Sequence, residues 1–211
     1  MRNSKIFKDF ANLLNQDYCY LCGKIEEIIC IECIFKLLES SKLQYLEDIP
    51  VLSLTLNNEN ITRLIISFKD KGVTNLKDPF SQMISLGLKY FSPHQNLNIV
   101  SVPSSDAAIQ KRGLDPISLL TSDSCERAGK RFQYEKGLLI NAGKRLDQAG
   151  LNQKQRGQNM ARAFKVGKES SKPVLIVDDL ITTGSTLLAC IEALRQKSIP
   201  IKACVALAAN Q

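Results

Sequence analysis

Two carboxylates and a hydroxyl-rich turn stand close together near the carboxyl end of the sequence. Residues 174–186 read VLIVDDLITTGST, so Asp178 and Asp179 follow four apolar residues. Residues 174–177 predict a buried strand of a parallel sheet, and such sheets bind ligands at the carboxyl ends of their strands. The turn opens a predicted helix, whose first amide groups attract an anion. Its residues are Thr182, Thr183, Gly184, Ser185 and Thr186.

This arrangement is typical of a site for a phosphorylated ligand. Gly184 lets the backbone approach an anion closely, and the hydroxyls of the turn add hydrogen-bond donors. Asp178 and Asp179 cannot both favour a phosphate, so they suit ribose hydroxyls or a magnesium ion. The Walker A pattern GxxxxGK[ST] does not occur in the sequence. A turn without a ligand is the plainer alternative, but it gives the two carboxylates no packing role.

Four cysteines near the amino end have the spacing of a metal site. Cys19 and Cys22 form one CxxC pair, and Cys30 and Cys33 form the second. Two such pairs supply the four thiolates of a closed tetrahedral Zn²⁺ site, and Gly23 permits the tight turn after the first pair. A closed site leaves no open coordination position, so its expected role is structural. Redox chemistry of a CxxC motif is the alternative, although two pairs are more than it needs.

Size, charge and cysteine usage narrow the class of protein. The chain has 211 residues, 44% of them apolar, which fits one globular domain with a small appendage. Its net charge is +7, and residues 111–172 hold 14 basic and 6 acidic residues. This excess favours an anionic partner, although a basic surface that only aids solubility explains it equally well. Seven cysteines and no secretory signal predict a cytoplasmic location, and no apolar run reaches the roughly 18 residues of a membrane span.

Apolar periodicity predicts the elements that would position these residues. Helices are expected over residues 62–71, 79–90 and 185–196, and over most of 109–130, where Gly113 and Pro116 disturb the start. Strands are expected over 98–102, 137–141, 174–177 and 201–208, with a long basic loop over 144–162. Strands that alternate with helices imply a parallel, doubly wound sheet. With an amphipathic helix over residues 1–15 beside the cysteines, the expected domains are 1–50 and 51–211.

The whole pattern resembles the ComF family, in which a four-cysteine zinc module precedes a type I phosphoribosyltransferase domain. Residues 174–186 are similar to the phosphoribosyl pyrophosphate signature of such enzymes. Three further stretches carry the resemblance: residues 64–71, Val102-Pro103 with Lys111-Arg112-Gly113, and Gln148-x2-Leu151-x4-Arg156-x2-Asn159-x3-Ala163-Phe164. The resemblance implies an α/β fold of the type I phosphoribosyltransferase class behind a small zinc-finger module with four cysteine ligands.

The resemblance also implies a role for each matching residue of the ligand site. Asp178 and Asp179 would hold the 2′ and 3′ hydroxyls of the ribose. Residues 182–186 would hold its 5′-phosphate, and Mg²⁺ would bind together with phosphoribosyl pyrophosphate. Ser104 and Ser105 directly follow the Val-Pro strand end and would lie on the pyrophosphate loop.

Two basic residues are expected to act on the leaving pyrophosphate. Arg112 would face pyrophosphate or DNA, and Arg156 would lie on a loop that closes the site against water. The sequence departs from the family's RGFNQ pattern after Arg112, where Asp115 and Pro116 replace the Asn-Gln pair. It also carries Thr182 where several purine-salvage relatives carry an Asp, so no general base is evident.

Two functions follow from the resemblance. In the first, the protein handles single-stranded DNA during DNA uptake and natural transformation, alongside recombination or uptake proteins, and binds phosphoribosyl pyrophosphate or a related phosphorylated ribose. In the second, it is an active Mg²⁺-dependent phosphoribosyltransferase that modifies an unidentified base or amine and releases pyrophosphate. A purely structural zinc adaptor, which would bind neither ligand, is the third alternative.

Overall fold

A six-stranded sheet runs through the part of the chain that the computed structural model describes, residues 18–25, 27–92, 94–142 and 163–210. The predicted helix over residues 1–15 and the predicted loop over 144–162 lie outside these ranges. The strands are β1 (Lys42–Leu46), β2 (Ile49–Leu56), β3 (Leu97–Ser101), β4 (Phe132–Tyr134), β5 (Leu139–Asn141), β6 (Phe164–Val166), β7 (Val174–Ile181) and β8 (Ile201–Ala209).

The order of the strands confirms the expected α/β architecture. The sheet reads β1-β2-β8-β7-β3-β4, and β5 and β6 form a separate antiparallel ribbon. Only β1 is antiparallel to its neighbour in the six-stranded sheet, since the other four pairings are parallel. The chain leaves β3 toward β4 but leaves β7 toward β8, so the connections diverge between β3 and β7. Ligands of open parallel sheets bind at such a switch point.

Helices cover both faces of the sheet. They are α1 (Ile31–Leu38), α2 (Glu59–Asp70), α3 (Lys77–Phe91), α4 (Asp106–Arg112), α5 (Pro116–Ala128) and α6 (Ser185–Arg195), with a short 3₁₀ turn at Thr74–Leu76. One apolar cluster joins α2, α3 and α5 to Leu175 and Val177 of β7. The other joins α6 and the ribbon to Val174 and Ile176. No helix in the described ranges is long and apolar enough to cross a membrane.

Short-range signals decide where several helices begin and end. The side chain of Asn58 accepts the N–H of Ile61 at 3.1 Å and caps α2. The expected helix over 109–130 is two helices, because Gly113 ends α4 with a φ of 72° and Pro116 is the first residue of α5. Asp115 caps α5. The departure from the family pattern at Asp115 and Pro116 is therefore a helix start, which a proline favours.

The cysteine-rich segment packs against the sheet. Ile29 and Ile34 are each 1% exposed and belong to the apolar cluster of α2, α3 and α5. The β1–β2 hairpin follows at the edge of the sheet, so the sheet begins at Lys42. The expected domain boundary at residue 50 therefore falls inside β2, and the two parts share one hydrophobic core.

Candidate functional site

The acidic pair lies within a strand instead of following it. The expected strand 174–177 extends to Ile181, and Asp178 and Asp179 are only 9% and 5% exposed. Because successive residues of a strand point to opposite faces, the two carboxylates have different surroundings. The backbone N–H of Asp179 donates to Oδ1 of Asp178 at 2.9 Å.

Asp178 is held in an environment that disfavours its charge. Burial and the neighbouring carboxylate of Asp179 raise the pKa of Asp178 to about 8. The neutral carboxyl form of Asp178 is therefore favoured far more than in water. In that state it can donate one hydrogen bond as well as accept others.

Asp179 is neutralised by a lysine from another element. Nζ of Lys69, in the last turn of α2, lies 2.8 Å from Oδ2 of Asp179. The Lys69 side chain is 30% exposed and that of Asp179 is 7% exposed, so water screens the pair only partly. Lys69 is a site residue that sequence reasoning missed. The only available signal was a basic residue at the end of a helix in the stretch similar to the ComF family.

The turn after β7 has the geometry of an anion cradle, and we call residues 182–186 the phosphate loop. Gly184 has a φ of 74° and directly precedes α6, so the first amides of that helix face the turn. Thr182, Thr183 and Ser185 are exposed, and the hydroxyls of Thr183 and Ser185 lie 2.9 Å apart. Asp178 and every residue of the phosphate loop except Ser185 line one pocket of about 20 Å³. This volume holds roughly one water molecule, so most of a bound phosphate would lie at the protein surface.

The tight fit behind Gly184 comes from the edge hairpin. A Cβ atom at position 184 would lie 3.0 Å from Cδ2 of Leu46, the last residue of β1. The left-handed backbone and this close approach both favour glycine here. The hairpin, which apolar periodicity did not predict, thus supports the phosphate loop from behind.

Ser104 and Ser105 follow β3, next to β7 at the switch point. The hydroxyl of Ser104 donates to Oδ1 of Asp115 at 2.8 Å, and Asn141 donates to the carbonyl oxygen of Ser104. The hydroxyl of Ser105 accepts the N–H of Ala108 at 3.3 Å and caps α4. Both side chains therefore shape the turn after β3, and their role in pyrophosphate binding stays a prediction.

Arg112 is engaged in an ion pair. Its Nη2 and Nε lie 2.8 and 2.9 Å from Oδ1 of Asp70, and its side chain is 19% exposed. Asp70 directly follows Lys69, so this pair adjoins the one between Lys69 and Asp179. The guanidinium group of Arg112, which was expected to be free to bind an anion, is thus already paired. Pyrophosphate or DNA would have to compete with Asp70 for it. The other predicted cation, Arg156, lies outside the described residues.

The four predicted metal ligands come together at the amino end. The sulfur atoms of Cys19, Cys22, Cys30 and Cys33 all lie within 4.8 Å of one another, and all four cysteines are free thiols. Tetrahedral Zn–S bonds of about 2.3 Å place sulfurs about 3.8 Å apart. Sγ of Cys22 and Sγ of Cys30 lie 3.7 Å apart. The cluster therefore has the donor set and the spacing to hold a metal ion.

The thiols of this cluster influence one another's ionisation. Burial raises the pKa of Cys19, but the backbone N–H groups of Cys30, Cys22 and Leu21 outweigh it and lower the pKa to about 6. Burial and hydrogen bonds with the other three sulfurs raise the pKa of Cys33. Four adjacent thiolates need a cation, so metal binding would release protons.

Sequence comparison finds a match to one family model over the carboxyl-terminal third of the chain. The family model described as "Phosphoribosyl transferase domain" matches residues 140–211, which include β7, the phosphate loop and α6. No protein of curated function matches the chain. The matched residues thus include the acidic pair and the phosphate loop, whereas Lys69, Ser104, Ser105 and Arg112 lie outside the match.

Solved structures of phosphoribosyltransferases are similar to the chain at low identity. Adenine phosphoribosyltransferase from Saccharomyces cerevisiae is 16% identical over 83% of this chain and 87% of that chain, with a TM-score of 0.40. Hypoxanthine phosphoribosyltransferase from Staphylococcus aureus is 15% identical over 62% of each chain, with a TM-score of 0.38. The adenine phosphoribosyltransferase from Trypanosoma brucei was solved with AMP, pyrophosphate and ribose-5-phosphate. It is 12% identical over 83% of this chain and 78% of that chain, with a TM-score of 0.37. Since these values are low, the fold assignment rests on the sheet topology and the family-model match.

Proposed function

We propose that the chain is a ComF-like protein whose site at the end of β7 binds phosphoribosyl pyrophosphate or a related phosphorylated ribose. The observation that carries this proposal is that Asp178 and residues of the phosphate loop line the same pocket. A phosphorylated ribose presents hydroxyls beside a phosphate. Carboxyl groups suit the hydroxyls, and the amides and hydroxyls of the turn suit the phosphate.

Mg²⁺ fits the donor set of this proposed site. Carboxylate oxygens and the oxygens of substrate phosphates are its preferred ligands, and Asp178, which lines the pocket, would hold it. When bound, the ion neutralises the charge that develops on the pyrophosphate. Lys69 already pairs with Asp179. A ligand or ion that takes Asp179 must therefore displace the ammonium group of Lys69.

An active phosphoribosyltransferase is the second candidate function, and the family-model match favours it. In that reaction the bond between the ribose C1′ and pyrophosphate breaks, and a bond from C1′ to a nitrogen of the base or amine forms. The chain would bind the ribose through the acidic pair and hold the 5′-phosphate at the phosphate loop. Ser104 and Ser105 would contribute to the pyrophosphate side.

We also propose that the protein handles single-stranded DNA in the cytoplasm during natural transformation. The resemblance to the ComF family and the basic excess of residues 111–172 support it. Within the described residues, carboxylates already pair with Arg112, Arg127 and Lys168. These three cations are therefore less available to a DNA backbone than composition suggests, and weak, salt-dependent binding is expected.

We further propose that the cysteine cluster binds Zn²⁺ in a structural role. Four thiolates close the coordination shell, so the ion would have no open position for a substrate. Because Ile29 and Ile34 join this segment to the main core, the ion would fix the segment against α2 and α3.

Calorimetric titration of phosphoribosyl pyrophosphate with Mg²⁺ tests the binding proposal. The paired change Asp178→Asn/Asp179→Asn is expected to weaken binding by at least about tenfold, since it removes both carboxylates. The matched control is Glu39→Gln/Glu126→Gln, which removes two exposed carboxylates that do not line the pocket. Equal affinity in the two double variants would contradict the proposal.

Two assays separate the candidate functions. Pyrophosphate release that requires a base or amine, and that is lost in Asp178→Asn/Asp179→Asn, would establish the transferase. DNA binding that falls steeply with salt and survives the same change would support the DNA-handling function.

A further inference from the structure

The strand β1 forms an open edge of the six-stranded sheet. Among the described strands it pairs only with β2, so the backbone groups on its other side have no strand partner there. Its central residues, Leu43, Gln44 and Tyr45, carry no charge, and the strand contains no proline. Proteins often protect a sheet edge with charged side chains or proline, because an open edge can pair with another strand. The centre of β1 lacks both kinds of protection.

The hairpin determines which backbone groups of β1 face outward. Leu46 pairs with Ile49 across a two-residue turn, and such a closing pair exchanges hydrogen bonds between the two strands. Hydrogen-bonded pairs alternate along an antiparallel ladder, so Gln44 also bonds to β2. The N–H and C=O groups of Leu43 and Tyr45 therefore point away from β2, toward the open edge.

The same two residues place apolar side chains at this edge. Leu43 is 43% exposed and Tyr45 is 64% exposed, and both lie on one face of the sheet. If two copies of β1 pair antiparallel about Gln44, Leu43 of each copy lies opposite Tyr45 of the other. This register satisfies the outward N–H and C=O groups of both residues and forms two apolar cross-strand pairs. A pairing centred on either residue would satisfy, within the strand, only that residue's groups.

The charges at the two ends of β1 are complementary in the same register. Lys42 is exposed and has no ion pair with a described residue. At the other end, the carboxylates of Glu47 and Asp48 share one guanidinium group, that of Arg195, which leaves one negative charge in excess. Lys42 of one copy would lie opposite Leu46 of the other, directly before these carboxylates. The amino end of one strand is thus attracted to the carboxyl end of the second.

We propose that the chain forms a two-fold symmetric dimer by antiparallel pairing of β1 with β1 of a second copy. The outward backbone groups, the apolar side chains and the terminal charges are all self-complementary in one register, as a two-fold interface requires. Two strands of five residues bury less surface than a permanent dimer does, so we expect a dissociation constant in the micromolar range. The pairing does not depend on the ligand of the phosphate loop.

Amide hydrogen exchange of the unchanged, full chain tests the pairing at the residues that form it. NMR measures the exchange rates at about 20 μM and about 1 mM protein, below and above the expected dissociation constant. The N–H groups of Leu43 and Tyr45 should exchange several-fold more slowly at the higher concentration. The N–H of Gln44, which bonds to β2, should be protected equally at both. Rates at Leu43 and Tyr45 that do not change with concentration would overturn the proposal.

Sedimentation velocity of a charged variant tests whether the same surface holds the dimer together. Tyr45→Glu should raise the dissociation constant at least about tenfold, because it puts a carboxylate into each apolar pair. Tyr90→Glu is the matched control, since Tyr90 is a tyrosine of α3 that is 61% exposed. Equal dissociation constants in these two variants, or an unchanged protein that stays monomeric at 1 mM, would contradict the interface.

A double variant tests the register. Leu43→Lys alone should weaken the dimer, whereas Leu43→Lys/Tyr45→Glu places opposite charges in each cross-strand pair and should regain part of the lost affinity. A register centred on either residue would place like charges opposite each other, so failure to regain affinity would refute the proposed register. Thermal unfolding checks that each variant folds. The exchange rates of the unchanged protein keep the test decisive if one of them does not.

Discussion

The acidic pair of β7 and the cysteine cluster both crowd anionic groups into a small volume, but they balance the charge differently. The cluster draws four sulfurs from one short stretch, and a cation would be required to hold all four as thiolates there. In the acidic pair, Lys69 from α2 neutralises Asp179, while burial raises the pKa of Asp178 and favours its neutral form. On the proposal that the cluster holds Zn²⁺, the first region depends on a metal ion for its structure. The second is balanced by the protein itself and must exchange its partners when a ligand binds.

Loss of the metal ion from the cysteine cluster is expected to have the largest effect. Cys33→Ser should abolish stoichiometric zinc binding and lower the free energy of unfolding by several kcal/mol, because metal binding and folding of such a site are coupled. Metal analysis and thermal unfolding measure the two effects. Cys125→Ser is the control, since Cys125 is buried in α5 away from the cluster. Its metal content should equal that of the unchanged protein, and full zinc content in Cys33→Ser would contradict the assignment.

The proton on Asp178 predicts a pH-dependent stability. The pKa of Asp178 is about 8 in the folded chain against an ordinary value of 3.8. Between these values the folded state holds a proton that the unfolded state lacks. The stabilising contribution is complete below about pH 4 and is lost as pH rises to about 8, by up to about 1.4 kcal/mol per pH unit. Urea unfolding at a series of pH values measures this dependence. The free energy of unfolding should change less with pH in Asp178→Asn than in the unchanged protein, and an identical pH dependence would refute the role of the proton.

Removal of Lys69 is expected to leave Asp179 buried without its partner. Lys69→Met should lower the free energy of unfolding by about 1–3 kcal/mol, a range that allows for the partial exposure of the lysine. Chemical denaturation measures this change. Lys71→Met, at an exposed lysine two positions later, is the matched control. If both variants lose the same amount, the ion pair with Asp179 carries no special weight.

Alanine at Gly184 should separate strain from ligand binding. Gly184→Ala and Gly72→Ala both force a side chain into a left-handed backbone, with φ values of 74° and 70°, and each should cost about 1 kcal/mol. A Cβ at position 72 meets nothing within 4 Å, whereas one at position 184 approaches Leu46. Only Gly184→Ala is expected to weaken binding of phosphoribosyl pyrophosphate, measured by calorimetry. Unchanged affinity in that variant would argue against an anion at the phosphate loop.

Elements with a strong apolar period were predictable from the sequence. The expected helix 62–71 corresponds to α2, and the expected strand 201–208 corresponds to β8. The strands β4 and β6 have three residues each, too few to display a period. β2 was missed although it is mostly buried, because Ser53 and Thr55 interrupt its apolar pattern and Pro50 lies near its start.

The candidate site divides in the same way. Candidate binding residues that are close in the sequence, such as the four cysteines and the phosphate loop, are predictable from their spacing because the local chain brings them together. The partners of Asp179 and Arg112 do not, since Lys69 and Asp70 lie far away in the sequence and only the packing of α2 places them there. Sequence patterns therefore indicate the candidate ligand-binding groups but leave out the groups that balance their charge.

Proton release on ligand binding tests most directly whether the acidic pair exchanges its proton for a ligand. Titration of Mg²⁺ and phosphoribosyl pyrophosphate at pH 7, in buffers with different ionisation enthalpies, counts the protons that leave the protein. We predict release of about one proton per ligand from the unchanged protein and none from Asp178→Asn. Binding with a heat that is independent of the buffer would contradict this exchange.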